Sequence, residues 1–221
     1  MGWIDRVLLL FTGAFAVFTS YKLFEMRKGA SQPSRANVYH IVALSVLLVS
    51  GVLLLVFGWG ILGLMGSGIS NRLVAIVASL IPFAWATGVV TRAFPKAERG
   101  YLALLSVGLT LIVISRFIDN PQMARVVYPL FHGTAGLTIV LLPVLTMKRS
   151  STNPAYLLVS LGGLLISVGG LALSFLLAGR QLLFFSSDLV LAILAPLLLL
   201  MTLAYGIGLL VGTRGTRRLQ A

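Results

Sequence analysis

The chain has 221 residues, of which 58% are hydrophobic and only 10% charged, with a mean hydropathy of +1.03. A soluble fold needs roughly a quarter of its residues charged to cover its surface, so this composition excludes an ordinary soluble protein. The formal net charge is +12, yet the seventeen Lys and Arg residues fall in small groups between apolar runs. With no basic stripe or arm, nucleic acid is not an expected partner.

The apolar residues come in runs of about 20, the length that crosses the hydrocarbon core as a helix. An all-α, polytopic integral membrane protein with seven transmembrane helices is expected, forming one transmembrane domain over 1–221. The first span covers 3–24. Its leading segment MGWIDR carries no net positive charge and no small-residue cleavage motif follows, so it reads as an uncleaved helix. A linker, GASQPSR, leads to a long second span at 38–65, closed by the turn-forming GSGISN. The third span, 72–91, ends at RAFPKAERG, and the others cover 100–118, 122–147, 154–179 and 185–212. A short basic tail, 213–221, is expected on the cytoplasmic side.

The positive charges set the orientation. Twelve of them lie after the first, third, fifth and seventh spans: Lys22, Arg27, Lys28, Arg35, Arg92, Lys96, Arg99, Lys148, Arg149, Arg214, Arg217 and Arg218. The opposite side holds five, namely Arg6, Arg72, Arg116, Arg125 and Arg180. Under the positive-inside rule this asymmetry puts the N-terminus outside the cell membrane and the C-terminus in the cytoplasm.

An internal repeat is also expected. Tyr39, Val42, Leu44, Leu47, Leu48 and Ser50 recur, at a constant offset of 117, as Tyr156, Val159, Leu161, Leu164, Leu165 and Ser167. Phe11-Thr12-Gly13 resembles Phe131-His132-Gly133, and Arg72 opening span three faces Asp188 opening span seven. These matches point to a 3+1+3 parallel pseudo-repeat, a plan some transporters use. Small residues in span six (Gly162, Ser167, Gly169, Gly170, Ser174), span two (Gly51, Gly58, Gly60, Gly63) and span seven (Gly206, Gly208, Gly212) read as close helix contacts. Pro82, Pro143 and Pro196 fall inside spans three, five and seven, where neighbouring groups must satisfy the carbonyls they free.

His132 is the candidate for chemistry. It lies eleven residues past Pro121, about 15 Å below the outer surface at helical rise and so near the membrane centre. An ionisable group there is expensive, and imidazole can relay a proton, ligate haem iron or bond a quinone. The bland reading is a histidine bonded to a hydroxyl or carbonyl of a neighbouring helix. Arg116 and Asp119, three apart at the end of span four, can pair. Asp188, after two serines at the start of span seven, is placed where a helix N-terminus favours a carboxylate. These side chains are either caps and surface pairs or a polar mouth above His132. His40, the only other histidine, starts span two at the cytoplasmic edge and reads as a headgroup anchor beside Tyr39.

No cofactor is expected. The two histidines sit about half a membrane apart and cannot ligate one haem; His132 paired with Met65, Met123 or Met201 is the haem arrangement left open. The seven-helix outline resembles that of microbial rhodopsins in architecture, but span seven has no lysine, which excludes a retinal Schiff base. Cysteine is absent, removing disulfides, iron–sulfur clusters and thiol catalysis. Neither H-E-x-x-H, a P-loop nor a G-x-S-x-G elbow is found, and five carboxylates offer little for acid–base catalysis, so the reading leans away from an enzyme. Three functions stay open. A small transporter or channel-like carrier with a central polar site around His132 comes first. The others are a transmembrane subunit of a larger complex, respiratory and touching quinone or haem, and a seven-helix sensor working through a separate partner. The expected partners are the lipid bilayer and other protein chains in a complex or homo-oligomer.

Overall fold

The computed structural model describes residues 1–29, 34–62, 69–118, 121–147, 153–177 and 186–213. Asp119, Arg180, the pair Lys148 and Arg149, and the tail 214–221 lie outside them, and the Arg125 side chain is likewise not described. The described residues form seven helices: α1 (Trp3–Lys28), α2 (Arg35–Phe57), α3 (Ile69–Ala93), α4 (Glu98–Phe117), α5 (Pro121–Met147), α6 (Leu157–Leu177) and α7 (Ser187–Gly212). Six of them, all but α6, belong to stretches long and apolar enough to cross a membrane. Lipid offers no partner for backbone N–H and C=O groups, so apolar runs of this length bond internally as helices.

Local chemistry sets where the helices stop. Gly58, at φ +66, ends α2 in a conformation that side-chain-bearing residues resist, and a 3₁₀ turn, Gly58–Leu62, follows. Pro95 opens a second 3₁₀ turn, Pro95–Ala97, between α3 and α4. A third, Pro154–Tyr156, is capped by the Asn153 side chain, which accepts from the Ala155 N–H at 3.0 Å. Ser186 caps α7 by accepting from the Leu189 N–H at 3.3 Å.

The helices close a ring. α1 packs on α2, α2 on α3, α3 on α5, α5 on α6, α6 on α7, and α7 returns to α1. α4 leans on α3 and α5. Large apolar side chains point outward all around: Leu10 and Phe11 on α1, Val49 and Val56 on α2, Val107 on α4, Leu137 and Leu141 on α5, Leu161 on α6 and Leu200 on α7. Such a surface suits lipid and is wrong for water.

Between apolar helices in lipid, association rests on close packing rather than on expulsion of water. The glycines of spans six and seven supply it. A Cβ on Gly212 would lie 2.6 Å from the Tyr156 nitrogen, and one on Gly208 would lie 2.9 Å from the Val159 nitrogen, so α7 runs backbone to backbone against the start of α6. Span two departs from that expectation: Gly51 and Gly60 face open space among the described residues.

Candidate functional site

Two polar layers lie between the helices. The first is built from α2, α3, α7 and the turn before α6. On α2, Asn37, His40, Leu44 and Leu47 recur at helical spacing and are all buried, so they form one inward face. On α3, Trp85, Gly88 and Arg92 share a face in the same way.

His40 is completely buried, which corrects the expectation of a headgroup anchor. The reason is geometric. α2 begins at Arg35, so His40 lies five residues, about 7.5 Å, inside the helix, and its direction is shared with Asn37 and Leu44. Its ring packs against Trp85, centroid to centroid 5.1 Å at 50°. Gly88 makes room for it, since a Cβ there would come within 2.7 Å of His40 Nδ1. Trp85 stacks in turn on Tyr205, at 4.1 Å and 27°, and Tyr205 is seated over Gly162 of α6.

Arg92 turns inward from the last turn of α3. Its Nη2 donates to Asn37 Oδ1 at 2.8 Å, and Asn37 Nδ2 donates to the Leu23 carbonyl at 3.4 Å. His40 and the buried Tyr156 are its electrostatic neighbours. The nearby carboxylate, Glu98, is engaged elsewhere: Tyr39 donates to it at 2.9 Å and Arg35 lies 3.7 Å away.

What distinguishes this layer is the number of buried polar atoms without a protein partner. They include both ring nitrogens of His40, Trp85 Nε1, Arg92 Nε and the Tyr156 hydroxyl. A buried unsatisfied group costs about 1–3 kcal/mol. Five in one connected cluster is a concentration that packing alone does not explain.

No family model, curated protein or solved structure matches this chain. The chemistry of the two layers therefore rests on their own residues.

The second layer contains His132. Its ring stacks on Tyr128 at 5.0 Å and 22°, and the Arg116 guanidinium lies 5.3 Å from the same Tyr128 ring. Ser79 of α3 neighbours the Tyr128 side chain. His132 Nδ1 and Arg116 Nε are buried without a protein partner. Arg116, expected at a polar mouth, and His132, expected beneath it, are thus brought together through Tyr128, which sequence reasoning passed over. Asp188 is exposed in the first turn of α7, beside the capping Ser186. Asp119 lies outside the described residues.

Chemically the two layers are alike. Each holds a cationic guanidinium, an imidazole and aromatic rings, and their unpartnered atoms are mainly donors. Among the described residues no three His, Asp or Glu side chains come together as a metal-ligand set.

Proposed function

We propose that this chain is a small membrane carrier of seven spans, with its N-terminus outside the cell membrane and its C-terminus in the cytoplasm, whose substrate path runs between two three-helix units. The packing order supports a 3+1+3 plan. Contacts of α1 on α2 and α2 on α3 answer to α5 on α6 and α6 on α7, while the junctions α3 on α5 and α7 on α1 are equivalent under the same pairing. In this reading α6 is the seventh crossing and α4 is the connector between units.

The observation that carries the proposal is the cluster of unpartnered polar atoms at the junction of the two units. His40, Trp85 and Arg92 come from the first unit and Tyr156 from the second, whose Tyr205 stacks on Trp85. Buried ionisable groups within spans mark substrate and ion pathways. The layer at His132 lies nearer the other face, so the two layers stand where inner and outer gates of an alternating-access cycle belong.

The chain has no cysteine, which makes the test clean. Cysteines introduced at Lys96 and Gln122 in reconstituted vesicles should react with impermeant thiol reagents from opposite sides. A cysteine at Ser160, which is buried with its hydroxyl unpartnered, should react slowly from both sides as the units rock. Complete protection of position 160 from both sides sinks the carrier reading.

A second reading, a membrane subunit of a larger complex, is favoured by one feature. A groove between α1 and α2, lined by Ala16, Ser20, Tyr21, Leu44, Ser45 and Leu48, offers the small and hydroxyl-bearing surface on which another helix packs. Co-purification of a stoichiometric membrane partner at this groove is the outcome that favours it.

A further inference from the structure

We propose that Arg92, Asn37, Tyr156 and His40 form a binding site for a small oxyanion. The proposal rests on the carrier reading for the site's place between the two units, and on side-chain geometry for its chemistry.

The first argument is charge. Arg92 is the only cation of the cluster, and the side chain it touches, Asn37, is neutral. Among the described residues the ion pairs are Lys22 with Glu25 and Arg35 with Glu98, so neither serves Arg92. A guanidinium turned into an apolar bundle without a carboxylate calls for an anion.

The second argument is the kind of hydrogen bond on offer. Arg Nε and Trp Nε1 can only donate, while a tyrosine hydroxyl and a histidine N–H donate readily. Arg92 Nε, Trp85 Nε1 and the Tyr156 hydroxyl all lack protein partners, as do both His40 nitrogens. A set rich in donors and poor in acceptors selects a ligand with several acceptor oxygens and rejects a metal cation or an ammonium group. Tyr156 is only 3% exposed and His40 is 0% exposed, so these are not solvated surface groups.

The third argument is preorganisation. Asn37 is held through Leu23 of α1, so its Oδ1 faces Arg92 and fixes one edge of the guanidinium. The Arg92 Nε–H is left without a protein partner, ready to donate to an oxyanion. Asn37 acts here as a positioning residue. Arg92 is one residue from the end of α3, near the aqueous face from which an anion arrives. The same chemistry is offered by a free phosphate or sulfate and by the phosphoryl group of a lipid.

The test is thermal unfolding of the purified full chain in neutral detergent, titrated with inorganic phosphate and sulfate against chloride at matched ionic strength. Phosphate or sulfate should raise the Tm where chloride does not. Arg92→Gln should abolish the shift, and Tyr156→Phe should weaken apparent affinity about tenfold, the loss of one charge-assisted bond. Arg35→Gln, whose guanidinium is held by Glu98, should leave the shift unchanged. If only phosphatidylglycerol, compared with phosphatidylcholine, gives an Arg92-dependent shift, the site stands and the oxyanion is a headgroup. An absent shift with every probe, or one unchanged in both Arg92→Gln and Tyr156→Phe, overturns the site. Should Arg92→Gln not fold, Tyr156→Phe decides alone. Binding in detergent requires no transport: binding without phosphate flux in vesicles removes the carrier and keeps the site, whereas flux without an oxyanion-dependent shift does the reverse.

Discussion

The indole of Trp85 stacks on the ring of Tyr205 at 4.1 Å, and this contact ties α3 to α7 across the ring of helices. Both side chains are buried, Trp85 on His40 and Tyr205 over Gly162. The stack is therefore both a wall of the His40 layer and a structural joint. Tyr205→Ala removes the ring and leaves a cavity that two glycine-spaced helices cannot easily close. A loss of about 3–5 kcal/mol is expected. Tyr205→Phe keeps the stack and should stay within about 1.5 kcal/mol of the parent. Denaturant titration in mixed micelles measures both, and equal losses would show that the hydroxyl, not the ring, makes the joint.

Gly88 controls where His40 sits. An added Cβ would stand 2.7 Å from Nδ1 and 2.9 Å from Nε2, and the imidazole is walled in by Trp85. Gly88→Ala should therefore push the ring out of the cluster, at a packing penalty of about 1–3 kcal/mol. The expected phenotype is that of His40→Ala in flux and oxyanion binding, with a lower Tm than His40→Ala itself. A Gly88→Ala protein that binds and transports like the parent would show that the site does not use the imidazole.

Glu98 fastens the start of α4 to α2. It is 8% exposed, accepts from Tyr39 at 2.9 Å and faces Arg35 at 3.7 Å. Glu98→Ala leaves the Tyr39 hydroxyl without its acceptor and should lower stability by about 1–3 kcal/mol. Glu98→Gln can still accept that bond and should recover most of the loss. The exposed Arg35 contributes little by itself, so Arg35→Ala is expected within about 1 kcal/mol of the parent. Limited proteolysis at 94–97 reads the same order: Glu98→Ala cut fastest, Glu98→Gln and Arg35→Ala near the parent rate.

The helices are legible in the sequence because lipid obliges each apolar run to bond internally. The expected span at 122–147 and α5 at Pro121–Met147 agree almost residue for residue. Inward faces are another matter. In water a buried face is marked by apolar residues against polar ones, but α2 turns Val42, Val49, Val52 and Val56 outward and Leu44, Leu47 and Leu54 inward, all equally apolar. The pattern that separates inside from outside is missing, and with it the direction of His40. The usable signal is sparse. Asn37 with His40, and Trp85 with Gly88 and Arg92, are polar or aromatic residues at helical spacing on two successive spans near the same end. Tyr128 was within reach too, one turn before His132 and on the same face. What no spacing could supply is partnership across helices, such as Arg92 on Asn37, fifty-five positions apart.

The His132 layer separates function from packing. His132 stacks on Tyr128, and Tyr128 reaches both Arg116 and Ser79, so the tyrosine and not the histidine is the structural member of the trio. His132→Ala should leave the Tm within a few degrees of the parent, while Tyr128→Ala should lower it by an amount corresponding to about 3–5 kcal/mol, since it removes a large ring with three partners. In phosphate-loaded vesicles His132→Ala should cut flux at least about tenfold, or ~1.4 kcal/mol of barrier. Oxyanion binding in detergent should persist, because the Arg92 cluster is untouched. Such a split, with binding kept and flux lost, is the signature of a gate at some distance from the binding site. Normal flux in His132→Ala would remove the histidine from the mechanism, and a Tm loss matching that of Tyr128→Ala would make it a packing residue.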